Sequence, residues 1–159
     1  FLAFFTAQRR RFEHVTLVAN SIGAFFGLSS LDETLVDRAY LISPIVDMEK
    51  LICDMMQWSG VTEQELAEKL EITTDFGETL SWEYLCYVRM HPIIWNVPTC
   101  ILYGERDNLT SIETVSAFAK QHHADLTVMP GGEHWFHTEE QMQFLNHWIR
   151  ECNAKHVCC

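Results

Sequence analysis

Three side chains in this sequence are of the types that nucleophilic acyl transfer uses together: the hydroxyl of Ser21, the carboxylate of Asp107 and the imidazole of His134. A hydroxyl attacks a carbonyl carbon well only when a base takes its proton. Imidazole suits that task because its ordinary pKa lies near neutrality, and a carboxylate can hold the ring in one tautomer. Each of the three follows an apolar run that reads as a strand. Ser21 stands in Ala19-Asn20-Ser21-Ile22-Gly23, after Val15-Thr16-Leu17-Val18 and before the helix-like Ala24-Phe25-Phe26-Gly27-Leu28. A strand, a sharp turn and a helix would project the hydroxyl from the bend, provided that its neighbours are small. Gly23 fills one small position and Ala19 the other. Ser21 reads also as a plain helix N-cap, since its oxygen can accept a backbone N–H.

Asp107 follows the run Thr99-Cys100-Ile101-Leu102-Tyr103-Gly104, at the strand end where open α/β sheets place their ligand crevice. Glu105 comes too early in the turn to compete, and Asp125 lies at the opposite end of a strand. Asp107 reads alternatively as a turn residue before a helix starting near Ser111. His134 follows Leu126-Thr127-Val128-Met129 and a loop whose glycines, Gly131 and Gly132, let the backbone carry the ring over the sheet edge. His137 is its nearest rival. It stands beside Thr138 and Gln141, the spacing of a capping box at the start of the last helix, and is expected at the surface.

In this order of residues and settings, and in Asn96-Val97-Pro98-Thr99 leading into Tyr103-Gly104-Glu105-Arg106-Asp107, the chain resembles the C-terminal portion of an α/β-hydrolase of the serine-hydrolase branch. The resemblance implies an α/β fold: a partial α/β-hydrolase fold with a mostly parallel sheet of about four strands flanked by helices, and a helical cap insertion. It implies that Ser21 is the nucleophile, His134 the general base and then acid, and Asp107 the carboxylate that orients the ring. The backbone N–H of Ile22 would supply one donor of the oxyanion hole. The implied reaction is hydrolysis of a carboxylic ester or thioester through an acyl-enzyme, with a small-molecule ester-like substrate and no cofactor. Twenty residues precede Ser21, where the family normally places several strands and an oxyanion-hole loop. The alternative is therefore a truncated or catalytically incomplete hydrolase-like domain that acts by association with another chain. An unpaired edge on the nucleophile strand would also favour self-association.

The elements needed to position these groups divide the sequence into three segments. Residues 1–47 would form the nucleophile part of the core, 48–97 a helical cap-like insertion, and 98–159 the part carrying the acid and the histidine. Asp37-Arg38-Ala39-Tyr40-Leu41-Ile42-Ser43 reads as a further strand, and Phe1-Leu2-Ala3-Phe4-Phe5 as helix. Within the insertion, Thr62 with Glu65 is a capping box that opens a helix whose Leu66 and Leu70 would share a face. Trp58, Trp82, Tyr84 and Tyr87 read as core or as a lid over substrate. In the last helix, Met142, Leu145 and Ile149 recur at helical spacing, broadened by Phe144 and Trp148.

Composition sets the outer limits. A length of 159 residues with 48% hydrophobic content fits one globular domain. Eleven Lys and Arg against 22 Asp and Glu give a formal charge of −11, so nucleic acid and anionic membranes are not expected partners. No apolar run approaches the roughly 20 residues that cross a bilayer, and the N-terminal run, followed rather than preceded by basic residues, does not read as a signal peptide. The six cysteines lack metal-site spacing: Cys86 and Cys100 read as core residues and Cys158 and Cys159 as exposed. This points to a reducing, cytoplasmic setting. His122 and His123 suit a helix C-terminus, and His147 and His156 form no ligand pattern, so no metal is assigned.

Overall fold

The computed structural model describes residues 1–155. The expected exposure of Cys158 and Cys159, and the expectation for His156, lie outside the described residues. The chain separates into two compact units, Phe1–Val46 together with Ile94 onward, and Asp47–Ile93.

The first unit begins with α1 (Leu2–Arg9), β1 (Thr16–Asn20), α2 (Ile22–Ser30) and β2 (Arg38–Ile42). The second holds α3 (Met48–Trp58), α4 (Glu63–Lys69), the strands β3 (Glu71–Thr73) and β4 (Thr79–Ser81), and α5 (Trp82–Met90). The first unit then resumes with β5 (Thr99–Gly104), α6 (Ile112–Gln121), β6 (Asp125–Met129) and α7 (Glu139–Lys155). Its sheet has four parallel strands in the order β1-β2-β5-β6. The register sets Leu17 beside Ala39, Tyr40 beside Cys100 and Leu102 beside Thr127.

Sequence explains which strands lie inside. All six residues of β5 are buried, the pattern of a central parallel strand covered on both faces. β1 lies at the edge, with Leu17 buried but Thr16 and Val18 exposed. Among the described residues it pairs with β2 alone. One core cluster gathers Tyr40, Cys100, Leu102, Met129, Trp148 and Cys152, with the Tyr40 and Trp148 rings edge-on at 6.0 Å. In α7 Trp148 and Cys152 are buried and Phe144, Leu145 and Ile149 pack against the same cluster, as expected, whereas Met142 is 40% exposed and lies off that face. The helix starts as its sequence directs, with Gln141 N–H bonded to Thr138 Oγ1 and Gln141 Oε1 accepting the His137 N–H.

The second unit is not purely helical, which is a further correction. β3 and β4 form an antiparallel hairpin pairing Ile72 with Leu80, turned through Gly77 at φ +93°. Thr62 caps α4 by accepting the Glu65 N–H at 3.1 Å, but the helix ends one residue before Leu70. Leu70 adopts φ +66° and is 60% exposed whereas Leu66 is fully buried, so the two do not share a face. Arg89 joins three helices of this unit, donating from Nε to Glu49 and through both terminal nitrogens to Glu63. No helix among the described residues is long and apolar enough to cross a membrane.

Candidate active site

Because β1, β2, β5 and β6 are parallel, their C-terminal ends share one edge, and the three residues singled out above all emerge there. Ser21 directly follows β1 and occupies the N-cap position of α2 at φ +50°, ψ −127°. A non-glycine residue in that region carries strain on the order of 1–3 kcal/mol, held only where the surroundings overdetermine it. The determinants are visible. The Ser21 N–H donates to Ile42 O at 3.0 Å, and the Ser21 carbonyl accepts the N–H groups of Ala24 and Ile45, both at 3.1 Å. Ile45 reaches it through a second left-handed residue, the buried Ser43 at φ +42°.

With the backbone so fixed, the Ser21 side chain makes no capping bond. Its hydroxyl meets His134 Nε2 at 2.8 Å, and on the other side of the ring Nδ1 meets Asp107 Oδ2, also at 2.8 Å. Asp107 Oδ1 already accepts the N–H groups of Leu109 and Thr110, at 2.9 and 3.2 Å, which orients the carboxylate. A carboxylate in its ionised form only accepts, so opposite one Nδ1 would carry the proton, and Nε2 would accept from the Ser21 hydroxyl. The imidazole is 1% exposed and the carboxylate not at all. Little water competes for these bonds. The structure thus brings Ser21, His134 and Asp107 into one chain of hydrogen bonds. The helix N-cap of α6 falls to Ser111, whose hydroxyl accepts the Thr114 N–H, so Asp107 is not that helix's cap.

Two loops must meet for this to occur, and their approach rests on a residue that the sequence reading passed over. A Cβ on Gly104, the last residue of β5, would lie 2.6 Å from Glu133 O and 2.7 Å from Gly132 C. Gly104 therefore lets the acid turn and the histidine loop touch backbone to backbone. Gly132 has the converse role, with its own Cβ position 3.2 Å from the Gly104 Cα. Further bonds close the seam: Glu105 N–H to Met129 O at 3.1 Å, Arg106 N–H to Gly132 O at 2.7 Å, and Gly131 N–H to the Glu105 carboxylate at 2.8 Å. Glu105, the early acid, thus holds the loop rather than the ring. Tyr103, buried in β5, donates its hydroxyl to Thr110 O at 2.9 Å and braces the same turn. Burial, then the charges of Asp107 and Glu113, push its phenol up to about 12.

Gly23 does not behave as expected. A Cβ there would meet nothing within 4 Å, so the bend is set by the Ser21 hydrogen bonds and not by crowding at that position. Ile22 begins α2, and its N–H belongs to the first turn, which has no acceptor inside the helix. His137 stands apart from these three residues, exposed, with Nδ1 2.6 Å from Trp135 O. Trp135, directly after His134, is 60% exposed. Among the described residues, no group of three or more His, Cys, Asp or Glu is placed to hold a metal ion.

No protein-family model matches the chain, and no curated protein matches it in sequence. Solved structures do match. The protein Est1E from Butyrivibrio proteoclasticus superposes with a TM-score of 0.74 at 15% identity, over 97% of this chain and 67% of that one; a second structure of it carries ferulic acid. A putative hydrolase from Agrobacterium vitis gives 0.68 at 18% identity over 92% and 64%. An alpha/beta hydrolase enzyme from a lagoon-sediment metagenome gives 0.54 at 23% identity over 93% and 66%. The chain thus spans about two thirds of the length of these structures. Its own four parallel strands with flanking helices, set beside these likenesses, give it the fold of an α/β-hydrolase over a part of that fold's length.

Proposed function

We propose that this chain carries the nucleophile, base and acid of a serine hydrolase that cleaves a carboxylic ester or thioester through an acyl-enzyme. The observation that supports the reading is the pair of 2.8 Å contacts that His134 makes, one to Asp107 and one to a serine held at φ +50°. Ser21 Oγ would add to the ester carbonyl as its proton passes to His134 Nε2, while Asp107 stabilises the resulting imidazolium. The carbonyl oxygen would gain negative charge and take the Ile22 N–H as one donor. Collapse would break the bond to the leaving oxygen or sulfur, which departs with the proton from His134. Water would then repeat the sequence on the acyl-enzyme and free the serine.

The binding of ferulic acid to Est1E agrees with a carboxylic acid as one product class. We extend the proposal to the unit Asp47–Ile93 as a lid that selects among esters; substitutions there would change selectivity and leave labelling of Ser21 intact. The test of the central reading is a fluorophosphonate probe. It should label the wild type, lose all labelling with Ser21→Ala, and slow by orders of magnitude with His134→Ala. An unlabelled wild-type protein refutes the assembled nucleophile.

The length comparison favours a second reading, in which turnover requires another polypeptide that completes the domain. Labelling without ester turnover, and turnover restored when a longer chain is supplied, would select it.

A further inference from the structure

From the placement of Trp135 we infer that this residue selects the alcohol part of the substrate, and that the preferred esters carry a flat aromatic alcohol; the inference rests on the serine-hydrolase reading above. The proton that expels the alcohol leaves from His134 Nε2. The leaving oxygen must therefore come within hydrogen-bond reach of that nitrogen, and whatever is attached to it lies beside the imidazole. His134 itself offers no surface there, being 1% exposed with both nitrogens engaged. The next residue in the chain supplies one. Trp135 stands edge-on to the His134 ring, with centroids 5.0 Å apart and planes at 86°, and keeps 60% of its surface open. The open indole offers a π face on which an aryl group can stack. The carbonyl oxygen, by contrast, is directed to the Ile22 N–H at the start of α2, so the two halves of the ester meet different residues.

Acylation and deacylation separate the roles, because the alcohol has gone before water attacks. The experiment compares 2-naphthyl acetate with ethyl acetate, which form the same acetyl-enzyme, on the wild type, Trp135→Ala and Trp135→Phe. Stacking of this kind corresponds to roughly a 3- to 10-fold effect. Trp135→Ala should lower kcat/KM for the naphthyl ester by that factor, leave the ethyl ester within twofold, and leave the deacylation rate after the burst unchanged. Trp135→Phe should retain most of the naphthyl preference. An exposed side chain leaves no cavity when truncated, so the thermal midpoint should hold. Equal losses on both esters, a change in deacylation, or no change at all would each overturn the inference while the hydrolase reading stands. If Ser21 labels without turning over esters, phosphonylation by phosphonates with naphthyl and ethyl leaving groups gives the same comparison. A wild-type protein that neither labels nor hydrolyses overturns both readings together.

Discussion

The seam between the acid turn and the histidine loop makes Gly104→Ala the most informative single change. The added methyl would sit 2.6 Å from Glu133 O, 2.7 Å from Gly132 C and 2.7 Å from Gly132 O. An ordinary contact begins near 3.4 Å, so the strands' ends must part by about 0.8 Å, and backbone atoms cannot swing aside as a flexible side chain can. Overpacking of this kind costs roughly 1–3 kcal/mol. At about 2–4 °C per kcal/mol for a chain of this size, the midpoint should fall by roughly 2–12 °C. The loop that moves is the one carrying His134. A displacement approaching 1 Å at a reacting group costs on the order of 10²-fold, so labelling of Ser21 should slow by about 10- to 100-fold below the melting range. Stopped labelling with a fluorophosphonate, read beside a thermal melt, measures both. Gly23→Ala is the control: its Cβ meets nothing within 4 Å, and alanine in a helix gains roughly 0.5–1 kcal/mol over glycine. A Gly104→Ala protein with wild-type labelling and midpoint would refute the claim that backbone contact assembles the site.

Three further outcomes follow from the geometry. Ser21→Gly removes the strain of a side chain at φ +50°, so it should raise the thermal midpoint by about 2–4 °C, the equivalent of roughly 1 kcal/mol, while abolishing labelling; a lowered midpoint would show that the strain is not there. Tyr103 is raised to about 12 in the fold against an ordinary value near 10, so the unfolded chain loses this proton first. Its contribution to stability should be complete below pH 10 and decline toward pH 12, as urea titrations would show, and Tyr103→Phe should remove that share of the decline. The outer edge of β1, beside a cavity of about 510 Å³ bounded by Phe1, Phe4, Val18 and Gly23, is expected to drive self-association. Sedimentation should show species larger than a monomer that Val18→Lys disperses; an unchanged distribution would sink this expectation.

The local parts of the architecture were legible because local chemistry dictates them. A six-residue apolar run such as 99–104 can only be a buried strand or a buried helix turn, and the glycine and acid that close it decide for the strand. The caps at Thr62 and Thr138 each combine a threonine hydroxyl with a Glu or Gln three residues on. Ser21, Asp107 and His134 stood out because each follows such a strand, Ser21 directly and the other two after a short turn or loop. What escaped was whatever depends on contact across the fold or on a single dihedral. Gly104 reads like any strand-ending glycine until Gly132 is set against it. Leu70 continues the spacing of α4, and only its positive φ turns it outward. Three-residue strands such as Glu71–Thr73 are too short to show a period. In α7 the spacing marks Leu145, Ile149, Phe144 and Trp148 correctly but extends one turn too far, to the exposed Met142.

Ser21 and His134 are 113 positions apart along the chain, yet one hydrogen bond joins their side chains. No short peptide could hold such a pair, because every intervening crossover must close before the two meet. On the proposed reading, phosphonylation of the serine is then a gauge of completed folding. In a denaturant series its rate should vanish with the sheet and return with it, marking the step at which an ordinary alcohol acquires its reactivity.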